Sequence, residues 1–96
     1  MNRQSGVIRI LTVDDHPLLR KGIATLVNAE ADMKLVAEAA NGQEAIEQYR
    51  LHRPDVTLMD LQMPGMNGAE AIGEIQSEFP NARIIVLTTY RAMLKY

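Results

Sequence analysis

The chain alternates short apolar runs with segments whose apolar residues recur at helical spacing. Runs rich in Val, Ile and Leu predict four strands, at Val7–Val13, Met33–Ala39, Val56–Asp60 and Arg83–Thr88. The segments between the strands have the length and periodicity of helices. This order favours βα units and a parallel sheet covered by helices. Since no repeat, low-complexity segment or linker is visible, we predict one domain over residues 1–96.

Prolines mark where the three predicted helices begin or end. Pro17 can occupy the first position of the first helix, where its missing N–H costs nothing. Pro54 stops the second helix, and Pro80 stops the third. Each helix has an apolar stripe: Leu19, Ile23 and Leu26 in the first, Ala45, Ile46 and Tyr49 in the second, and Ala69, Ile72, Ile75 and Phe79 in the third.

Carboxylates follow two of the predicted strands. Asp14 and Asp15 end the first strand, and Asp60 ends the third. If these strands are parallel neighbours, the carboxylates converge at the edge where open α/β sheets bind ligands. Three carboxylates repel one another unless a cation or a proton intervenes, and hard oxygen ligands suit Mg²⁺ or Mn²⁺. Aspartate is also a nucleophile toward phosphoryl groups, and Thr88 could donate its hydroxyl to a phosphoryl oxygen, so the pattern indicates phosphoryl-transfer chemistry.

Composition narrows the class of protein. The hydrophobic content of 47% is enough for a packed core, and the formal charge is −2, with no basic stripe of the kind that nucleic-acid binding needs. No apolar run reaches the roughly 18 residues of a membrane span, and the N-terminus lacks the apolar core of a signal peptide. The absence of cysteine excludes disulfides and thiolate chemistry. We therefore expect a cytoplasmic protein without membrane or direct nucleic-acid contacts.

Three motifs resemble those of a response-regulator receiver domain, in particular the NarL/FixJ branch with LuxR-type output domains. They are Val13–Arg20 (VDDHPLLR), Met59–Gly68 (MDLQMPGMNG) and Ile85–Thr89 (IVLTT), in this order, within a resemblance that runs from about Val7 to Tyr90. The resemblance implies a flavodoxin-like, doubly wound parallel sheet with strand order 2-1-3-4-(5), an order for which the chemotaxis receiver is a known example.

The same resemblance implies a role for each site residue. Asp60 would be the phosphoacceptor that takes a phosphoryl group from a sensor histidine kinase. Asp15, Asp60 and the backbone carbonyl of Gln62 would bind Mg²⁺ directly, while Asp14 would act through a bound water. Thr88 matches the switch hydroxyl. Such a domain is a signalling module rather than an enzyme, with at most weak self-phosphorylation and self-dephosphorylation, and it normally controls a transcriptional output domain.

The C-terminal end departs from the family pattern. Receivers carry a lysine on a fifth strand, roughly twenty residues after the threonine, and then a fifth helix, whereas Lys95 lies only seven positions after Thr88. We therefore expect an incomplete receiver over residues 1–96, without a DNA-binding output domain. Loss of the fifth helix would uncover apolar surface on the first helix, which predicts a dimer or a swapped oligomer.

Two alternatives to the phosphoacceptor function stay open. The first is a signalling-incompetent fragment that acts only as an association module. The second is a haloacid-dehalogenase-like phosphohydrolase, a family that also uses aspartate and Mg²⁺. It ranks lower, because that family separates its two aspartates by one residue, whereas Asp14 and Asp15 are adjacent. Of the two histidines, His16 is interpreted as a solvent-facing residue at the start of the first helix, and His52 as helix-end surface.

Overall fold

Strands and helices alternate strictly along the chain in the computed structural model, which describes residues 6–63 and 65–87. The elements are β1 (Ile8–Val13), α1 (Pro17–Asn28), β2 (Met33–Ala39), α2 (Gly42–His52), β3 (Val56–Asp60), α3 (Gly68–Glu78) and β4 (Ile84–Leu87). Each predicted strand and helix is present, and β1 and β4 begin one residue later than predicted. Thr88, predicted as the last residue of the fourth strand, lies outside the described residues.

The strands form one parallel sheet in the order β2-β1-β3-β4. This order confirms the predicted flavodoxin-like arrangement for the four strands that the described residues contain. In the β1–β3 register, Val13 lies opposite Met59. Because parallel strands end on the same side, the residues that follow Val13 and Met59 meet at one edge.

One face of the sheet carries the main core. Leu11, Val13 and Met59 are fully buried there against helices α2 and α3. The predicted stripe of α2 is confirmed, since Ala45, Ile46 and Tyr49 are all buried. The stripe of α3 is confirmed at Ile75, with Ile72 and Phe79 packed at the border of the core. Ala69 is the exception: it is exposed, and Ala71 is the alanine that faces the sheet.

Helix α1 covers the opposite face, where it contacts β1 and β2. Here the predicted stripe is partly wrong, since Leu19 and Leu26 are 43% and 72% exposed, and the buried apolar residue is Val27. Ile23 and Val27 lie one helical turn apart, so the face that touches the sheet runs through them. Leu26 precedes Val27 by one position and therefore points about a quarter turn away from that face.

Side-chain caps fix the beginnings of α2 and α3 near the carboxyl edge of the sheet. Asn41 accepts a hydrogen bond from the Glu44 N–H at 2.8 Å. Asn67 and Glu70 form a capping box at the start of α3. Pro17 occupies the start of α1, as predicted. None of the helices in the described residues combines the length and apolar character that a membrane crossing requires.

Candidate functional site

The carboxylate cluster (Asp14, Asp15 and Asp60) lies where β1 and β3 end side by side. Asp14 and Asp60 are 0% and 1% exposed, whereas the side chain of Asp15 is 25% exposed. Carboxylate oxygens of all three and the Nδ1 atom of His16 lie within 4.8 Å of one another. The structure thus brings together the three aspartates that the sequence selects, while their roles as acceptor and metal ligands stay predictions.

Within the described part of the chain, Asp14 and Asp60 each have one carboxylate oxygen that accepts a hydrogen bond and one that does not. Asp60 Oδ1 accepts from the Gln62 N–H at 3.0 Å, and Asp14 Oδ1 accepts from the His16 N–H at 2.7 Å. Neither Asp14 Oδ2 nor Asp60 Oδ2 accepts a hydrogen bond from any described residue. Buried acceptors without donors are costly, and a hard divalent cation satisfies such oxygens. The donor set therefore fits Mg²⁺ in its chemistry.

Burial raises the pKa of Asp60 above the ordinary aspartate value. The nearby carboxylates of Asp14 and Asp15 raise this pKa further, while the Gln62 N–H and His16 lower it. Desolvation and like charges both disfavour the ionised form. The ionised cluster thus carries an electrostatic cost that a bound cation would remove.

His16 takes part in this site, in contrast to its interpretation as solvent-facing surface. Its side chain is 39% exposed, but Nδ1 lies 3.0 Å from Asp14 Oδ1, 3.0 Å from Asp15 Oδ1 and 3.9 Å from Asp60 Oδ2. The signal in the sequence was its place between the acidic pair and Pro17. That place makes His16 the N-cap of α1, beside the end of β1.

Arg20 is a site residue that the sequence does not single out. Its Nη1 donates to the backbone carbonyl of Asp14 at 2.6 Å, and its Nε donates to Glu38 at 3.1 Å. Arg20 therefore ties α1 to the end of β1 and to β2. Its position one turn after His16 is the only sequence signal for this contact.

Gly68 lets α3 begin close to the cluster. A Cβ atom at this position would overlap the carbonyl oxygen of Asp60 and would lie 2.7 Å from the Cα of Leu61. Gln62, the predicted backbone ligand, lies in the loop between Asp60 and Gly68, and its N–H donates a hydrogen bond to the Asp60 carboxylate. The predicted switch hydroxyl of Thr88 lies outside the described residues.

Fold and site together define a class: a doubly wound parallel α/β protein with a buried carboxylate cluster at the carboxyl edge of its sheet. Comparison with known proteins narrows this class. The model of the response regulator receiver domain matches residues 10–95. The transcriptional regulatory protein YxjL of Bacillus subtilis is 43% identical over 83 residues, which cover 86% of this chain and 38% of that protein.

Solved structures agree with this family match. A LuxR-family two-component response regulator from Aurantimonas is 41% identical, with a TM-score of 0.82 over 85% of this chain and 59% of that one. The CheY structure in a CheX-CheY-BeF3-Mg complex from Borrelia burgdorferi is 28% identical, with a TM-score of 0.81 over 92% of this chain and 67% of that one.

The chain belongs to the response regulator receiver domain family. It spans 38% of the length of YxjL and corresponds to the receiver region of such regulators. Receiver domains are signalling domains of two-component systems that bind Mg²⁺ at acidic residues and interact with histidine kinases. This confirms the resemblance that the three sequence motifs indicate.

Proposed function

We propose that this chain accepts a phosphoryl group on Asp60 from a sensor histidine kinase, with Mg²⁺ bound at the carboxylate cluster. One observation carries the proposal: Asp60 is 1% exposed, yet its Oδ2 atom accepts no hydrogen bond from the described residues and lies beside two further carboxylates. Membership in the receiver family supports it. So does the likeness to a CheY that was solved with BeF3 and magnesium.

In the proposed site, Asp15, Asp60 and the Gln62 carbonyl would hold the cation directly, and Asp14 would hold it through water. The cation would neutralise the carboxylates and the charge that develops on the phosphoryl oxygens. The hydroxyl of Thr88 would donate to a phosphoryl oxygen after transfer.

The chain's own contacts prepare Asp60 for nucleophilic attack. A carboxylate oxygen forms the new bond to phosphorus while the bond from phosphorus to the kinase histidine breaks, and the imidazole keeps that electron pair. The Gln62 N–H fixes the rotation of the carboxylate through Oδ1, and no donor among the described residues competes for Oδ2. Asp60 must be ionised to attack, so the groups that lower its pKa, the Gln62 N–H and His16, favour reaction.

Further expectations for the chain follow from its membership in the receiver family. The receiver unit of residues 1–96 would act in the cytoplasm and control a transcriptional output domain without touching nucleic acid itself. Chemistry by the chain alone would be limited to slow self-phosphorylation from small phosphodonors and slow self-dephosphorylation. Ten basic and twelve acidic residues, with no basic stripe, support the absence of a nucleic-acid surface.

Intact-mass spectrometry tests the acceptor. We expect the chain to gain the mass of one phosphoryl group on incubation with Mg²⁺ and acetyl phosphate, and to lose that gain when a chelator replaces Mg²⁺. Asp60→Asn removes the nucleophile and should abolish the gain, whereas Asp32→Asn, at an exposed carboxylate outside the cluster, should leave it intact. Equal labelling of Asp60→Asn and the parent would overturn the assignment.

A second candidate function is self-association, as a dimer or a swapped oligomer. Three large apolar side chains favour it, since Leu18, Leu26 and Ile85 are 84%, 72% and 53% exposed. Exposed apolar surface and an open strand edge promote association, and β4 forms an edge of the described sheet. If the chain associates but takes no phosphoryl group, the role of a pure association module replaces that of a phosphoacceptor.

A further inference from the structure

The peptide group that joins Asp14 to Asp15 lies just beyond the end of the sheet. The β1–β2 ladder ends at the pair Val13–Ala39, and the Asp14 N–H still donates to the Ala39 carbonyl at 3.0 Å. The Asp14 carbonyl accepts from a side chain, since Arg20 Nη1 donates to it at 2.6 Å. A peptide group is planar, so a donor that fixes this carbonyl also fixes the backbone from which Asp15 leaves.

Helix α1 and strand β2 hold the Arg20 guanidinium at this carbonyl. The Arg20 N–H donates to the His16 carbonyl at 2.9 Å in the first turn of α1, and side chains of a helix lean toward its beginning. Arg20 Nε donates to Glu38 Oε1 at 3.1 Å, and the Arg20 side chain is 22% exposed. Because the guanidinium is planar, one donor on each partner fixes its orientation.

We propose that Arg20 is a positioning residue for the Mg²⁺ site: by holding the Asp14–Asp15 peptide group, it keeps the Asp15 carboxylate within the carboxylate cluster. This inference rests on the cation site of the proposed function and extends it to a residue that touches neither the cation nor the phosphoryl group. Asp15 depends on such support because its side chain is 25% exposed, whereas Asp14 and Asp60 are buried.

The charge of Arg20 alone would have the opposite effect. A guanidinium beside the cluster repels a divalent cation, so removal of its charge would strengthen Mg²⁺ binding. Removal of a positioning contact instead frees the Asp14–Asp15 peptide group, and binding of the cation must then order it at a cost in conformational entropy. The direction of the change in Mg²⁺ affinity therefore separates the two roles.

A Mg²⁺ titration followed by amide NMR chemical shifts tests the role of Arg20 on the phosphate-free chain, because the shifted signals come from folded molecules. Arg20→Met keeps much of the apolar stem and removes the guanidinium. We expect it to weaken Mg²⁺ binding by about tenfold, the lower end of the losses seen when partners of metal ligands are removed. Lys21→Met is the matched control, since it removes the same charge from the next, exposed position of α1. It should change the affinity by less than about twofold, because solvent and salt screen an exposed charge.

Backbone dynamics of the unaltered, metal-free chain provide a measurement that does not depend on how the variant folds. We expect the order parameter of the Asp15 amide to be about 0.85 in the parent, as in rigid backbone, and to fall below about 0.6 in Arg20→Met. The Ala39 amide, at the end of β2, is the internal control and should stay rigid in both chains.

Three results would overturn the positioning role alone: Mg²⁺ affinity in Arg20→Met equal to or above that of the parent, the same weakening in Lys21→Met, or a flexible Asp15 amide in the parent. Failure of the parent to bind Mg²⁺ is a different result. It would overturn the metal site of the proposed function, and the role of Arg20 with it.

Discussion

At the scale of single residues, Asp60 is destabilising in the absence of a cation. Its carboxylate is buried among like charges and, within the described residues, accepts one hydrogen bond, from the Gln62 N–H. Its pKa is raised mainly by burial. The folded chain therefore binds the Asp60 proton more tightly than the unfolded chain does. Ionising this group in the folded state costs free energy.

This cost gives a pH-dependent expectation for Asp60→Asn. Protonated Asp60 makes its full contribution to stability at pH values below the ordinary pKa of aspartate. This contribution is lost as the pH rises through the raised pKa of Asp60 in the folded chain. In chelator at neutral pH, we expect Asp60→Asn to be more stable than the parent, and the difference to shrink in acid, where both side chains are neutral. Urea unfolding across a pH series measures this, with Asp32→Asn as the control. A difference that does not vary with pH would contradict the account.

Thr57 is a second buried polar residue with an unsatisfied atom. Its side chain is 0% exposed, and its hydroxyl has no hydrogen-bond partner among the described residues. Valine has nearly the same shape without the hydroxyl, so Thr57→Val should raise the free energy of unfolding by about 1 kcal/mol. Thr25→Val, at an exposed hydroxyl on α1, should change it by less than about 0.5 kcal/mol. Urea unfolding that shows a loss of stability for Thr57→Val would contradict this expectation.

The sequence predicts a site residue best when the role of that residue follows from its place at the end of a strand. Asp14 and Asp60 could be selected because strand ends of a parallel sheet meet at one edge. The contacts of His16 and Arg20 could not be predicted from the sequence, because they depend on side-chain rotamers and on the angle at which α1 leaves β1. Periodicity gives no information on either.

At the scale of elements, the approach of α3 to the end of β3 shapes the site. Gly68 begins α3 where a side chain would overlap the backbone of Asp60 and Leu61. The capping box of Asn67 and Glu70 holds this helix start in place. A larger residue at position 68 must therefore push the helix away from the backbone that carries Asp60.

Two glycines of α3 provide a matched pair for this idea. Gly68→Ala should lower the free energy of unfolding by about 1–3 kcal/mol, because the contact is with backbone and cannot be relieved by a side-chain rotation. It should also weaken Mg²⁺ binding. Gly73→Ala meets nothing within 4 Å and should stabilise the helix by about 0.5–1 kcal/mol. Thermal or urea unfolding with and without Mg²⁺ measures both, and equal effects of the two variants would show that crowding at position 68 is unimportant.

Elements differ in how far the sequence predicts them. All four strands follow from apolar runs, and the inner faces of α2 and α3 follow largely from helical spacing. The predicted stripe of α1 is partly wrong, since Leu19, Ile23 and Leu26 fit helical periodicity while the contact with the sheet runs through Ile23 and Val27. A helix with apolar residues on a wide arc offers several possible faces, and only its packing against the sheet selects one.

At the scale of the whole molecule, the two faces of the sheet are covered unequally in the described residues. Helices α2 and α3 cover one face, and α1 covers part of the other. Ile85 lies in register with Leu58, and Leu58 with Thr12, so Ile85 belongs to the face of α1. Its 53% exposure, together with that of Leu26, gives this side an apolar surface.

Light scattering across a concentration series tests self-association through this surface. We expect the average mass of the parent to rise with concentration, and Leu26→Lys and Ile85→Lys to suppress the rise because charge opposes burial. Leu51→Lys is the matched control: Leu51 is 73% exposed but lies on α2, which covers the other face. A single-chain mass at every concentration would contradict the proposal, as would equal suppression by Leu51→Lys.

The central claim is that Asp60 forms the acyl phosphate, and reductive trapping tests it most directly. Borohydride converts the carbonyl carbon of an aspartyl phosphate to an alcohol, and peptide mass spectrometry then locates the reduced residue. After incubation with Mg²⁺ and acetyl phosphate, we expect reduction at Asp60, loss of this signal when a chelator replaces Mg²⁺, and no reduction at Asp14 or Asp15. Reduction at either of those residues, or at none in the Mg²⁺ sample, would contradict the account.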